Sequence, residues 1–144
     1  MNPETRTMAL ANRTEQPAHT ILLVKGATDV RLFLTRTLVP KPGRILAARD
    51  GAGAIRIARH KRLDLVILDA KLPDISDTDL LRRLRRIDPS VPVIMITSAG
   101  SAETVRTAME LGAFDYLTKP FDTKETTQVI QEALAWRCSE SAPM

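Results

Sequence analysis

Cysteine, histidine and aromatic residues are scarce in this chain: one Cys, two His, three Phe, one Tyr and one Trp among 144 residues. A lone Cys138 excludes an internal disulfide and a cysteine metal cluster, and reads as a thiol in a C-terminal tail compatible with a reducing compartment. His19 and His60 each stand without a ligand partner at metal-binding spacing, so both are expected to be solvated. No apolar run approaches the ~20 residues of a membrane span, and the polar first twenty residues lack the apolar centre of a signal peptide. A cytoplasmic protein without membrane contact is the expectation.

Charge is plentiful and unbalanced, with 21 basic against 17 acidic residues, net +4 and pI near 9.6. Clustered basic residues are the footprint of phosphate binding. The densest cluster, Arg82, Arg83, Arg85 and Arg86, shares a helical stretch with Leu81, Leu84 and Ile87, which are assigned to the core. Few aromatics exist to stack on bases, so a solvated helix face is preferred and no specific nucleic-acid partner is expected.

Hydrophobic residues make up 44% of the chain, enough for one sizeable core. Residues 1–19 lack periodicity and read as a disordered arm, 20–137 as one domain, and 138–144 as a tail. Four apolar runs read as strands: Ile21–Val24, Leu65–Asp69, Val91–Thr97 and Asp115–Thr118, with a further short strand at Arg44–Ala48. Helices are expected from Thr28 to Leu38, from about Ala54 to Arg62, from Ser76 to Ile87, from Ser101 or Ala102 to Leu111, and from Asp122 to about Arg137. Asp50-Gly51 reads as a turn, Ser76 with Asp79 as a capping box, and Gly112 as a left-handed helix stop. Strict alternation of strands and helices implies an α/β fold: a doubly wound, flavodoxin-like, five-stranded parallel sheet of order 2-1-3-4-5 with five helices. In such sheets the site lies outside the carboxyl ends of the strands.

Three strands end in groups that suit one reaction. Asp69 is a potential nucleophile, Thr97 a hydroxyl donor and Lys119 a fixed ammonium, the set needed for phosphoryl transfer. Each alone would be an ordinary turn acid or β-former; the specificity lies in all three occupying strand tips. Gly51-Ala52-Gly53 follows the second strand, not the first, and lacks the dinucleotide fingerprint.

The segments Asp69-Ala70-Lys71-Leu72-Pro73-Asp74, Val93–Ser98 and Gly112–Phe121 resemble the signature segments of response-regulator receiver domains from two-component signalling. Gly100–Thr104 and Phe114-Asp115-Tyr116 are especially similar to receivers of nitrogen-regulator-type activators. The resemblance implies that Asp69 accepts a phosphoryl group from a histidine kinase or phosphotransfer protein. It further implies that Thr97 and Lys119 contact that group, that Thr97 and Tyr116 form the switch, and that Ser98 keeps access to the pocket open. The implied protein is a stand-alone switch rather than an enzyme acting on a separate metabolite.

Two positions depart from the family pattern. Two adjacent acids that hold Mg²⁺ are expected after the first strand, and Lys25-Gly26 stands there instead. Only Asp69 and the Lys71 backbone carbonyl remain as matched ligands, so metal binding is expected to be absent or weak. Lys25 is a candidate substitute cation: an ammonium at ~4 Å from Asp69 would contribute up to ~4 kcal/mol at an effective dielectric of 20, before desolvation. Asp77 replaces a glycine expected to need positive φ, a region Asp tolerates better than most residues. The alternative function is therefore a pseudo-receiver, an interaction module that works without phosphorylation.

Overall fold

The computed structural model describes residues 19–25, 43–69, 72–97, 102–118 and 123–141, with residues 43, 69, 97, 123 and 138–141 described by backbone alone. Five strands form one sheet: β1 (His19–Val24), β2 (Gly43–Ala48), β3 (Leu65–Asp69), β4 (Val93–Thr97) and β5 (Asp115–Thr118). All neighbours are parallel, in the order β2-β1-β3-β4-β5. The order matches the sequence expectation. His19 opens β1 and is half-buried, so it belongs to the sheet and not to the arm.

The three central strands are apolar on both faces because helices cover both. Leu22, Val24, Val66, Leu68, Val93 and Met95 point one way, into a core shared with Ala54, Leu80, Leu81, Leu84 and Ala108. These come from α1 (Gly51–His60), α2 (Asp77–Ile87) and α3 (Ala102–Glu110). The alternate residues Ile21, Leu23, Leu65, Ile67, Ile94 and Ile96 pack against Val129, Ile130, Ala133 and Leu134 of α4 (Thr123–Ser141). Period-two alternation thus sorts one sheet into two cores. The expected helix from Thr28 to Leu38 lies outside the described residues; four helices are described.

Local chemistry sets the helix ends. Ser76 accepts a hydrogen bond from the Asp79 amide at 3.1 Å and so caps α2. Asp50, expected in a turn, is the N-cap of α1 and accepts from the Gly53 amide at 2.8 Å. Gly112 has φ of 99°, the left-handed stop that follows α3. No described helix is long and apolar enough to cross a membrane.

A long-range polar bridge ties the last helix to the rest. Arg137, expected only to mark the end of α4, is buried, and α4 continues to Ser141. Its Nε donates to the Leu63 carbonyl at 3.2 Å, and its terminal nitrogens donate to both Asp88 carboxylate oxygens at 2.5 and 3.4 Å. Burial pushes the Asp88 carboxyl up, but the bonds from Arg137 and the Ser90 amide, with the charges of Arg137 and Arg62, outweigh it and hold Asp88 below the usual carboxylate range.

Candidate functional site

Parallel pairing brings the chemistry-bearing strand ends to one edge. Asp69 is the last residue of β3 and pairs with Ile96, one step before Thr97, the last residue of β4. Thr97 in turn pairs with Thr118, the last residue of β5. Asp69 and Thr97 are therefore neighbours along the carboxyl edge. Lys119, Gly26, Lys71 and Ser98 lie outside the described residues.

β1 reaches the same edge between β2 and β3, and the chain leaves it at Lys25. Lys25 has φ of 55°, the one non-glycine positive φ among the described residues, and its amide donates to the Ala48 carbonyl at 2.7 Å. A β-carbon in that conformation crowds the neighbouring carbonyl and costs roughly 1–2 kcal/mol. That strain is held where the family places its acids, on a side chain that is exposed. Lys25 supplies a cation and no side-chain acceptor oxygen, and no group of three acid, His or Cys side chains gathers among the described residues. At residue 25, therefore, the chain offers magnesium no carboxylate, the ligand type it favours.

Asp77 differs from the expectation. It is the first residue of α2, and among the described residues the positive φ angles belong to Lys25 and Gly112. A helical backbone needs no glycine at Asp77, and a carboxylate there sits favourably at the positive end of the helix dipole. Tyr116, in β5, is half-buried against the three-helix core, and its amide donates to its neighbour Asp115 at 2.7 Å.

The loop after Asp69 is anchored in a way the sequence did not disclose. Asp74 accepts from the amides of Gly51 and Ala52, both at 3.0 Å, so a second carboxylate from across the fold joins Asp50 at the α1 N-terminus. The Gly51 bond is the leading cause, with Ala52 and Asp74's own amide helping against a desolvation penalty, and the Asp74 carboxyl lies below its ordinary value. Gly51 is buried, and a β-carbon there would stand 2.2 Å from Ile75 Cγ2. The Asp50-Gly51 pair was the available signal: the glycine permits close seating of the 73–75 loop.

A five-stranded parallel sheet with an acid and a hydroxyl at adjoining tips defines a doubly wound α/β protein with a candidate site on the carboxyl edge. The chain belongs to the response regulator receiver domain family, whose model matches residues 21–131. It is similar to the sporulation initiation phosphotransferase F of Bacillus subtilis strain 168, 31% identical over 79% of this chain and 92% of that protein. It is also similar to the DNA-binding transcriptional regulator NtrC of Bradyrhizobium sp. RP501, 34% identical over 83% of this chain and 25% of that protein. Among solved structures, the signal receiver domain of an HD domain-containing protein from Pseudomonas fluorescens Pf-5 superposes with a TM-score of 0.75 at 30% identity, covering 85% of this chain and 99% of that one. The chain spans less than half the length of several of the transcriptional regulators it matches. Receiver domains are signalling modules of two-component systems, and they work with histidine kinases or phosphotransfer proteins.

Proposed function

We propose that this chain is a cytoplasmic receiver that accepts a phosphoryl group on Asp69 and signals through protein contacts. The observation that carries the reading is the adjacency of Asp69 and Thr97 at the ends of neighbouring parallel strands. An Asp69 carboxylate oxygen attacks phosphorus of a phosphohistidine; the new P–O bond forms as the P–N bond breaks, and the released imidazole nitrogen takes up a proton. Thr97 donates to a phosphoryl oxygen and Lys119 balances the added charge. Tyr116 then repacks with Thr97 and reshapes the surface of α3, β5 and α4, a population shift driven by contacts that exist only with the phosphoryl group.

A second reading rests on Lys25. Its cation at the β1 tip and the missing carboxylates favour a pseudo-receiver whose partner binding is independent of phosphorylation, with the ammonium standing in for the family's metal near Asp69. One experiment separates the two. The protein is incubated with acetyl phosphate, with and without Mg²⁺ or Mn²⁺, and weighed intact by mass spectrometry. One added phosphoryl group that disappears in Asp69→Ala supports the first reading; no adduct under any metal condition sinks it and leaves the second.

A further inference from the structure

Helices α1 and α2 run antiparallel to the strands, so the Asp74-capped end of α1 lies at the Asp69 edge and its C-terminal half at the opposite end. There Ile55 and Arg59 from α1, with Arg83, Arg86 and Ile87 from α2, line an open groove of about 230 Å³. Ile55 and Arg59 are four residues apart, and Arg83, Arg86 and Ile87 stand at three and four, so each helix offers one stripe to the groove. The arginines are exposed and the isoleucines half-buried. Ile87 therefore leaves the core position expected for it and forms part of the groove floor.

Among the described residues, no carboxylate is paired with these arginines. Helix α1 has no acidic residue, and Arg56 and Lys61 add further basic charge to the helix and its C-cap. The acids of α2, Asp77 and Asp79, sit in its first turn, at the other end, where Asp79 pairs with Arg82 at 3.0 Å. Asp88 is engaged by Arg137. Among the described residues Arg59, Arg83 and Arg86 have no carboxylate partner. Helix dipoles favour basic residues in a last turn, which accounts for Arg59 and Arg86 singly. They do not account for three guanidinium groups converging from two helices over an apolar floor, where like charges repel.

We propose that this groove docks an acidic protein segment, a short helix whose apolar side chains rest on Ile55 and Ile87 while its carboxylates pair with Arg59, Arg83 and Arg86. Guanidinium binds carboxylate bidentately, and an amphipathic helix laid between two helices is an established way to combine such pairs with apolar anchors. A protein segment fits better than nucleic acid because the groove offers isoleucines and no aromatic face for a base. The site stands apart from Asp69, so it is independent of the phosphorylation reading and leaves that edge free.

The test is fluorescence anisotropy on the full chain, with a labelled helix-forming peptide of about 15 residues carrying leucines at i, i+4 and i+7 and glutamates beside them. Binding should weaken with added salt, and Arg83→Glu with Arg86→Glu should weaken it by about tenfold or more, whereas Arg44→Glu with Arg49→Glu, the same charge change at exposed residues outside the groove lining, should leave it within about twofold. Matched thermal melts confirm folding; if the glutamates unfold the chain, Arg83→Gln with Arg86→Gln replaces them. The proposal is overturned if the groove variants bind as tightly as the parent, or if a peptide with serine for leucine binds equally well. It is overturned equally if duplex DNA or phosphatidylserine vesicles displace the peptide at comparable concentrations, since the patch would then be a general polyanion surface.

Discussion

The Asp88–Arg137 bridge is an asymmetric pair, and the asymmetry predicts which half of it is more costly to remove. The Arg137 side chain is 5% exposed and the Asp88 side chain 34%. Changing Asp88 to Asn keeps an acceptor for the Ser90 amide but leaves a guanidinium buried without its counter-charge. Breaking a fully buried pair this way costs about 3–5 kcal/mol, and partial exposure of Asp88 lowers the expectation to about 2–3 kcal/mol. Changing Arg137 to Met instead leaves a carboxylate that water can reach and one unsatisfied carbonyl at Leu63, about 1–2 kcal/mol, while the methionine retains much of the buried stem. Urea unfolding at pH 7 should therefore rank Asp88→Asn below Arg137→Met, with both below the parent. The pH dependence has a definite sign: Asp88 titrates below its unfolded value, so its stabilisation is complete above the ordinary carboxylate range and is lost as pH falls through the folded value. The gap between parent and Asp88→Asn should close in that acidic window. An Arg137→Met variant as unstable as Asp88→Asn, or a gap unchanged down to pH 2, would refute the reasoning.

Gly51→Ala should destabilise the protein by about 1–3 kcal/mol although alanine is the better helix former, because its β-carbon must displace Ile75. Adding Ile75→Ala should recover part of the loss, and a double mutant whose loss equals the sum of the singles would count against the contact. Lys25→Asp with Gly26→Asp should create Mg²⁺ binding measurable by calorimetry; no heat at millimolar metal would mean that the rest of the pocket has also lost its ligands.

Runs of branched residues ending in turn formers made the sheet legible, because a strand buried on both faces leaves no other place for Leu65–Leu68 or Val93–Ile96. Asp69 and Thr97 were legible for the same reason: strand ends are local features. Partnerships across the fold were not. Arg137 and Leu63 are 74 residues apart, and no periodicity in α4 distinguishes a buried arginine from an exposed one. Asp74 at the α1 N-terminus reads in sequence as one more turn acid. Ile87 fits a core stripe by spacing alone, but α2 rotates Leu80, Leu81 and Leu84 inward and leaves it at the rim. At Lys25 nothing in the residue type announces a left-handed backbone angle, which glycine, asparagine or aspartate would ordinarily mark.

That left-handed angle makes the position permissive in one chemical direction. Aspartate and asparagine accept φ near 55° more readily than lysine does, so an acidic side chain could enter at residue 25 with the Ala48 hydrogen bond intact and some backbone strain released. The main chain at the end of β1 thus accepts at residue 25 the residue type it lacks at least as readily as the lysine it carries.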